Sequence, residues 1–289
     1  MTLDEFLDAA WNDHADRPQE VAERMAGSFH LVSAPEHIAP FARLLTHVHG
    51  EHLGQWNRGI ELLTALRELP AFDGSDRLGQ LLDRNVAALS HCAGDGGALD
   101  SLPADERVAS LAIAASALAG RAEHGKALAA YDEALRLADA GLPDGSPAIR
   151  ALAVGGNNLA AALEEKSDRD ASETEGMVAA AQGGLRYWKL AGTWLEEERA
   201  EYRLARSLLQ AGQARTAIAS ATRCIDVCTR NSAPSFEQFF GHAVLALAQR
   251  AAGEDASFAA SRANAIALFG QIPEDERQWA QSTLRELGA

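Results

Sequence analysis

The chain of 289 residues carries 26 basic and 41 acidic side chains, which gives a formal net charge of -15 at pH 7. This balance argues against a nucleic-acid backbone as partner, because phosphate binding needs clustered lysine and arginine. Hydrophobic residues make up 47% of the sequence, so the chain is not disordered and is long enough for a large core or several stacked repeats.

The composition also predicts the secondary-structure class. Only 6% of the residues are aromatic, and much of the apolar content is alanine. Alanine has the highest intrinsic helix propensity and allows helices to approach closely. Valine, isoleucine and threonine are sparse, and no stretch shows the alternating pattern of a strand. We therefore predict an all-α fold.

The N-terminal residues predict a cytoplasmic protein. The first eleven residues are acidic and amphipathic, with no basic segment leading into an apolar one, so no secretory signal is visible. The longest apolar run, near residues 111–119, is too short to span a bilayer. With three cysteines and no export signal, we expect reduced thiols and no membrane partner.

Helix start and stop signals divide the first third of the chain. Thr2 and Glu5 have the spacing of a capping box, and Pro18 is a suitable first residue for a second helix. Residues 33–36 repeat the start signal. We expect Gly50 to end the third helix and residues 55–69 to form the next.

Turn signals divide the rest of the chain. A helix is predicted at residues 78–89, and a glycine- and proline-containing break follows at 94–104. Another turn cluster lies at 141–147. The charged segment 164–175 is predicted to be an insertion longer than a tight turn, and Pro273 is predicted to open a terminal helix.

The stretch 111–138 sets the pattern of the chain. It reads as two helices folded back on each other, with small or aromatic residues at the contact: Ala115, Ala127, Tyr131 and Ala134. The last three follow Ala115 by 12, 16 and 19 residues. The same offsets from Ala205 reach Ala217, Ala221 and Cys224; from Ala246 they reach Phe258, Arg262 and Ala265; from His47 they reach Gly59, Leu63 and Leu66.

This spacing resembles the tetratricopeptide repeat (TPR), whose period is about 34 residues. The string NNLA at residues 157–160 is similar to that of TPR proteins of the kinesin-light-chain type. The resemblance implies a right-handed superhelix of antiparallel helix pairs. It would comprise an N-terminal region 1–93 with one degenerate repeat, a break at 94–104, and TPR-like repeats over 105–289 that end in a capping helix.

The resemblance also implies a function. TPR solenoids bind proteins or peptides on the concave face, which the first helix of each pair lines. We therefore expect a non-enzymatic adaptor with a protein or peptide partner and no cofactor. The oligomeric state is left open.

Positions that face inward in the TPR family predict the partner-binding residues. They are Asn157 in one repeat and Tyr202 and Arg206 in the next, with Arg199 about one helical turn earlier. Asparagine could hold a peptide backbone, arginine a carboxylate, and tyrosine a flat apolar surface. In the alternative interpretation, Asn157 caps neighbouring carbonyls and the arginines pair with nearby glutamates.

Two further groups are chemically suggestive. The stretch HVHGEH holds His47, His49 and His52, which are weak metal-ligand candidates; surface histidines at a repeat turn are the alternative interpretation. Cys224 and Cys228 lie on one helical face, but two thiols alone make a poor zinc site, so we expect them to be core residues.

Two alternative functions remain at this stage. One is a regulatory sensor, in which a bound peptide changes the curvature of the solenoid. The other is a metal-dependent enzyme centred on the HVHGEH stretch.

Overall fold

The computed structural model describes residues 1–288, which form fourteen α-helices and no β-strand. Backbone contacts divide the chain into a first unit, Met1–Leu159, and a second unit, Ala160–Ala289. The predicted all-α class is confirmed for the described residues. None of their helices combines the length and the apolar character needed to cross a membrane.

The helices follow one another through short turns. Those of the first unit are α1 (Leu3–Asp13), α2 (Pro18–Gly27), α3 (Pro35–His47), α4 (Trp56–Ala65), α5 (Asp76–Cys92), α6 (Ala104–Gly120), α7 (His124–Ala138) and α8 (Pro147–Glu165), which contains the unit boundary. Those of the second unit are α9 (Ala171–Ala191), α10 (Trp194–Gln210), α11 (Ala214–Arg230), α12 (Ser235–Ala251), α13 (Asp255–Phe269) and α14 (Arg277–Glu286).

The predicted helix starts are partly confirmed. The Thr2 hydroxyl accepts the Glu5 amide at 3.2 Å, and the Glu5 carboxylate accepts the Thr2 amide at 2.8 Å, so the capping box is present. Pro18 begins α2. A helix also begins within residues 33–36, at Pro35, but Ser33 does not cap it: the residue that precedes α3 is Ala34, whose side chain cannot accept a hydrogen bond.

The pair α6–α7 confirms the predicted contact residues. The two helices pack directly against each other, and Ala115, Ala127, Tyr131 and Ala134 are all buried. Tyr131 donates its hydroxyl proton to the carbonyl of Leu152 at 2.8 Å, so its one polar atom is satisfied inside the core. Alanine-sized residues therefore mark where the helices meet.

The second unit repeats this arrangement twice. The pairs α10–α11 and α12–α13 each pack as neighbours, and their predicted small residues are buried. Gly212 and Gly253 form the turns with φ angles of +73° and +78°, a left-handed conformation that glycine adopts without a steric penalty. Adjacent helix pairs of the TPR-like kind are thus present in both units.

One predicted irregularity differs from the structure. Most of the predicted charged insertion is helical: α8 continues to Glu165 and α9 begins at Ala171. A second capping box, between Asp170 and Glu173, explains this early start. The break predicted at 94–104 lies where residues 93–103 form turns between α5 and α6, two helices of the first unit.

The most informative departure is at the end of α3. Gly50 does not end the helix; the chain continues as a π-helical turn, Val48–His52. This turn packs against α6, and a Cβ atom added at Gly120 would lie 2.6 Å from the Glu51 carbonyl oxygen. The close packing holds Glu51 and the flanking histidines in place.

Candidate functional site

A cavity of about 650 Å³ opens in the first unit. Its walls come from α1, α3, the π-helical turn, α5, α6 and α8. The apolar residues that line it are Trp11, Ala39, Pro40, Leu81, Ala112, Ile113, Pro147, Ala151, Val154 and Gly155. This volume lies within the range of sites that bind small molecules or peptide side chains.

Gly155 permits the close approach of α8 to α6 beside the cavity. A Cβ atom at this position would lie only 2.6 Å from the carbonyl oxygen of Ala112. Ala112 and Ser116, one helical turn apart on α6, both line the cavity.

Polar groups converge on one side of the cavity. The Asn158 amide donates to the Ser116 hydroxyl at 2.8 Å and to the Glu51 carboxylate at 3.3 Å. The other Glu51 oxygen lies 3.0 Å from Nδ1 of His47. Burial opposes ionisation of Glu51, but its contacts with His47 and Ser116 outweigh this and lower its pKa.

Arg43 places a positive charge at the rim of the cavity. Arg43 is exposed, and its guanidinium lies 5.9 Å from the centre of the Trp11 ring. Within residues 1–288, no carboxylate forms an ion pair with it. Arg84, by contrast, is paired with Glu106 at 2.7 Å. Arg43 is therefore available to a negatively charged ligand.

Three histidines meet beside this polar network. The rings of His14, which follows α1, His47, which ends α3, and His52, which ends the π-helical turn, have centroids 4.8–5.0 Å apart. Burial, together with electrostatic repulsion from the neighbouring His47 and His14 when His52 is protonated, lowers the pKa of His52 to about 4, so this ring is neutral at pH 7. His49 is not part of this group: it is 2% exposed and packs in the core.

The predicted binding residues of the second unit are engaged with other side chains. Arg199 is paired with Glu237, although 57% of its side chain is exposed. Arg206 is only 17% exposed and bonds Glu286 at 2.6 Å. Tyr202 packs edge-on against Phe240 with ring centroids 5.5 Å apart. The partners of the arginines come from other helices, not from the adjacent glutamates 196–198.

Asn157 lies in the first unit and does not line the cavity; its neighbour Asn158 does. The cavity side of α8 runs through residues 151, 154, 155 and 158, a helical spacing in which position 157 points elsewhere. Asn158 was missed as a site residue, whereas Glu51 was noted only as part of the HVHGEH group of possible metal ligands. The NN pair was the available sequence signal, but it could not choose between the two asparagines.

The second unit contains a buried acidic and thiol group. Glu198 accepts a hydrogen bond from the Cys224 thiol at 3.1 Å, and Cys228 lies in the same cluster. Burial, together with the charge of Glu237, raises the pKa of Glu198 to about 8, although the hydrogen bond from Cys224 opposes this rise. The pKa of Cys224 is also raised, so this thiol stays protonated, in keeping with its predicted role as a core residue.

The helix pairs define a protein of the TPR-like all-α class. No family model and no curated protein sequence matches the chain. The crystal structure of a Podosopora anserina protein described as a kinesin light chain with nearly identical TPR-like repeats is similar, with 16% identity and a TM-score of 0.47. The match covers 75% of this chain and 96% of that one, and a single-substitution variant of that protein matches equally well. The class assignment rests on the helix pairs themselves.

Proposed function

We propose that the protein is a non-enzymatic adaptor that binds an extended peptide segment of a partner protein in the cavity of its first unit. The observation that supports this most directly is the combination of an apolar cavity with polar groups on one side and an unpaired arginine at the rim.

The residues of the cavity indicate the chemistry of the peptide. The apolar walls between α3, α6 and α8 would hold one or two apolar side chains. The side-chain oxygen of Asn158 would accept a hydrogen bond from a peptide N–H, because its NH2 group already donates to Ser116 and Glu51. Arg43 would pair with a carboxylate. The expected ligand is therefore a short apolar segment with an acidic side chain or a C-terminal carboxylate beside it.

The positions Asn157, Arg199, Tyr202 and Arg206 remain a second prediction for the binding surface. Binding there would require Arg199 and Arg206 to exchange their present glutamate partners for those of the ligand. Arg43 needs no such exchange, because no described carboxylate holds it. For this reason the cavity of the first unit is the preferred site.

Peptide display against the full chain tests the proposal. Random peptides are selected on immobilised protein, and the affinity of the selected peptides is then measured by titration calorimetry. We expect apolar and acidic residues to be enriched. Arg43→Glu should weaken binding by about tenfold or more, because it replaces an attractive charge with a repulsive one.

Two variants serve as controls. Arg77 is exposed and does not line the cavity, so Arg77→Glu makes the same charge change without an effect on affinity. Arg206→Ala tests the second prediction. Selected peptides that bind Arg43→Glu as tightly as the parent protein but lose affinity for Arg206→Ala would contradict the proposed site.

A further inference from the structure

We propose that His14, His47 and His52 form a binding site for a transition-metal ion of the Zn²⁺ type. A ligand nitrogen of each histidine lies within 4.8 Å of those of the other two, and the Nε2 atoms of His47 and His52 are 3.1 Å apart. In a tetrahedral zinc site with Zn–N bonds of about 2.0 Å, the ligand nitrogens lie about 3.3 Å apart. The His47–His52 pair already has this spacing, and His14 would have to approach by up to about 1.5 Å to complete the site.

The π-helical turn accounts for this convergence. In a regular α-helix, residues five apart point to different sides. Here the amide of Leu53 bonds the carbonyl of Val48 at 3.0 Å, five residues earlier, and the wider turn brings His47 and His52 together. Turns of this kind occur frequently at functional sites. His14, which directly follows α1, completes the group from a separate segment of the chain.

Outer contacts orient two of the three rings. His14 Nδ1 lies 2.6 Å from the carbonyl oxygen of Trp11, which can only accept, so Nδ1 carries the proton and Nε2 has a free lone pair. His47 Nδ1 faces the Glu51 carboxylate at 3.0 Å. Metal-binding histidines typically donate their second ring nitrogen to a carboxylate or a backbone carbonyl in this way.

The donor set indicates the class of metal. Three imidazoles suit zinc, copper, nickel and cobalt, whereas magnesium and calcium prefer oxygen ligands. Glu51 adds a negative charge next to His47, which favours a cation at this site. Arg121, which bonds the His52 carbonyl oxygen, adds a positive charge, but its electrostatic effect on His52 is smaller than that of Glu51. Three protein ligands leave one position of a tetrahedral metal open to water or to an added ligand.

Titration calorimetry with Zn²⁺ tests the site. The full chain is prepared without a histidine tag and stripped of metal with a chelator. We expect one ion per chain. His14→Ala and His52→Ala each remove a ligand and should weaken binding by more than about 100-fold, and Glu51→Gln, which removes an outer contact, by about 10- to 100-fold. Circular dichroism confirms that each variant is folded.

Controls separate this site from other histidines and from the thiols. His30 is exposed and outside the group, so His30→Ala should bind Zn²⁺ like the parent protein. Co²⁺ should give the strong visible absorption of a four-coordinate site. An absence of saturable Zn²⁺ binding, or binding that survives His14→Ala and His52→Ala, would overturn the proposal. Binding lost only in Cys224→Ser would overturn it too, by placing the metal at the buried cluster of Glu198, Cys224 and Cys228.

Discussion

The two units use their polar side chains in different ways. In the second unit, the predicted binding arginines pair with glutamates of other helices, and Glu201 accepts hydrogen bonds from both Lys189 and Arg223. In the first unit, the π-helical turn and its neighbours leave an open cavity, an unpaired Arg43 and a group of three histidines.

This difference shows what a repeat register can and cannot indicate. The spacing of small residues follows from helix contacts, and these are alike in both units. Whether a polar residue is available to a ligand depends on charges contributed by other helices. In the regular helix pairs of the second unit, arginines and glutamates from different helices form ion pairs. In the first unit, the π-helical turn interrupts the regular helix pairing.

The largest expected change in stability comes from replacing Glu198, whose residue is 1% exposed. Its pKa of about 8 exceeds the ordinary value of 4.5, so folding favours the protonated form. The resulting stabilisation is present below pH 4.5 and is lost as the pH rises toward 8. Glu198→Gln should therefore gain stability relative to the parent protein as the pH rises between these values, by about 4 kcal/mol at pH 8.

Urea unfolding at several pH values measures this difference. Glu197→Gln is the matched control, because Glu197 is the neighbouring residue but is not buried. A Glu198→Gln stability difference that stays constant with pH would show that the second unit does not hold a neutral carboxylic acid in its core.

The next largest change in stability is expected at the small residues between paired helices, which both units share. Ala127→Leu in α7 should overpack the contact with α6 and cost about 2 kcal/mol, and Ala217→Leu in α11 should have a similar cost. Urea unfolding of the full chain measures both. Ala129→Leu on the exposed side of α7 should be nearly neutral. A neutral result for Ala127→Leu would contradict the register.

The smallest effect concerns the turns between paired helices. Ala122, between α6 and α7, has a φ angle of +59°, whereas Gly212 and Gly253 occupy the corresponding turns of the second unit. Alanine is strained in this conformation, so Ala122→Gly should raise the free energy of unfolding by about 1 kcal/mol. Gly212→Ala should lower the free energy of unfolding by a similar amount, because alanine is strained at the φ angle of +73°. No atom lies within 4 Å of the added Cβ, so a steric clash adds nothing to this cost. Equal stabilities would show that this turn is not strained.

Much of the fold could be predicted from the sequence, because it depends on local signals. Alanine at regular offsets predicted the pairs α6–α7, α10–α11 and α12–α13, and Thr2 and Glu5 predicted the first capping box. These features depend on residues that are close in sequence or repeat at fixed steps.

The candidate site could be predicted only in part. His47 and His52 could be identified as candidates in the HVHGEH stretch, but a regular helix would have pointed them to different sides. No local sequence signal predicted the π-helical turn. His14 joins them from the turn after α1, far away in the sequence. Arg43 can bind a ligand carboxylate, whereas Arg206 is already paired with Glu286. This difference depends on residues from other segments, so sequence spacing alone could not predict it.

Filling the cavity is the most direct test of the central claim. Ala151 lies on its wall, and Ala151→Phe should occupy the apolar space without a change in charge. Calorimetry with a display-selected peptide should show no binding to this variant and unchanged affinity for Ala129→Phe, with helicity preserved in both. Full affinity for a folded Ala151→Phe protein would contradict peptide binding in the cavity.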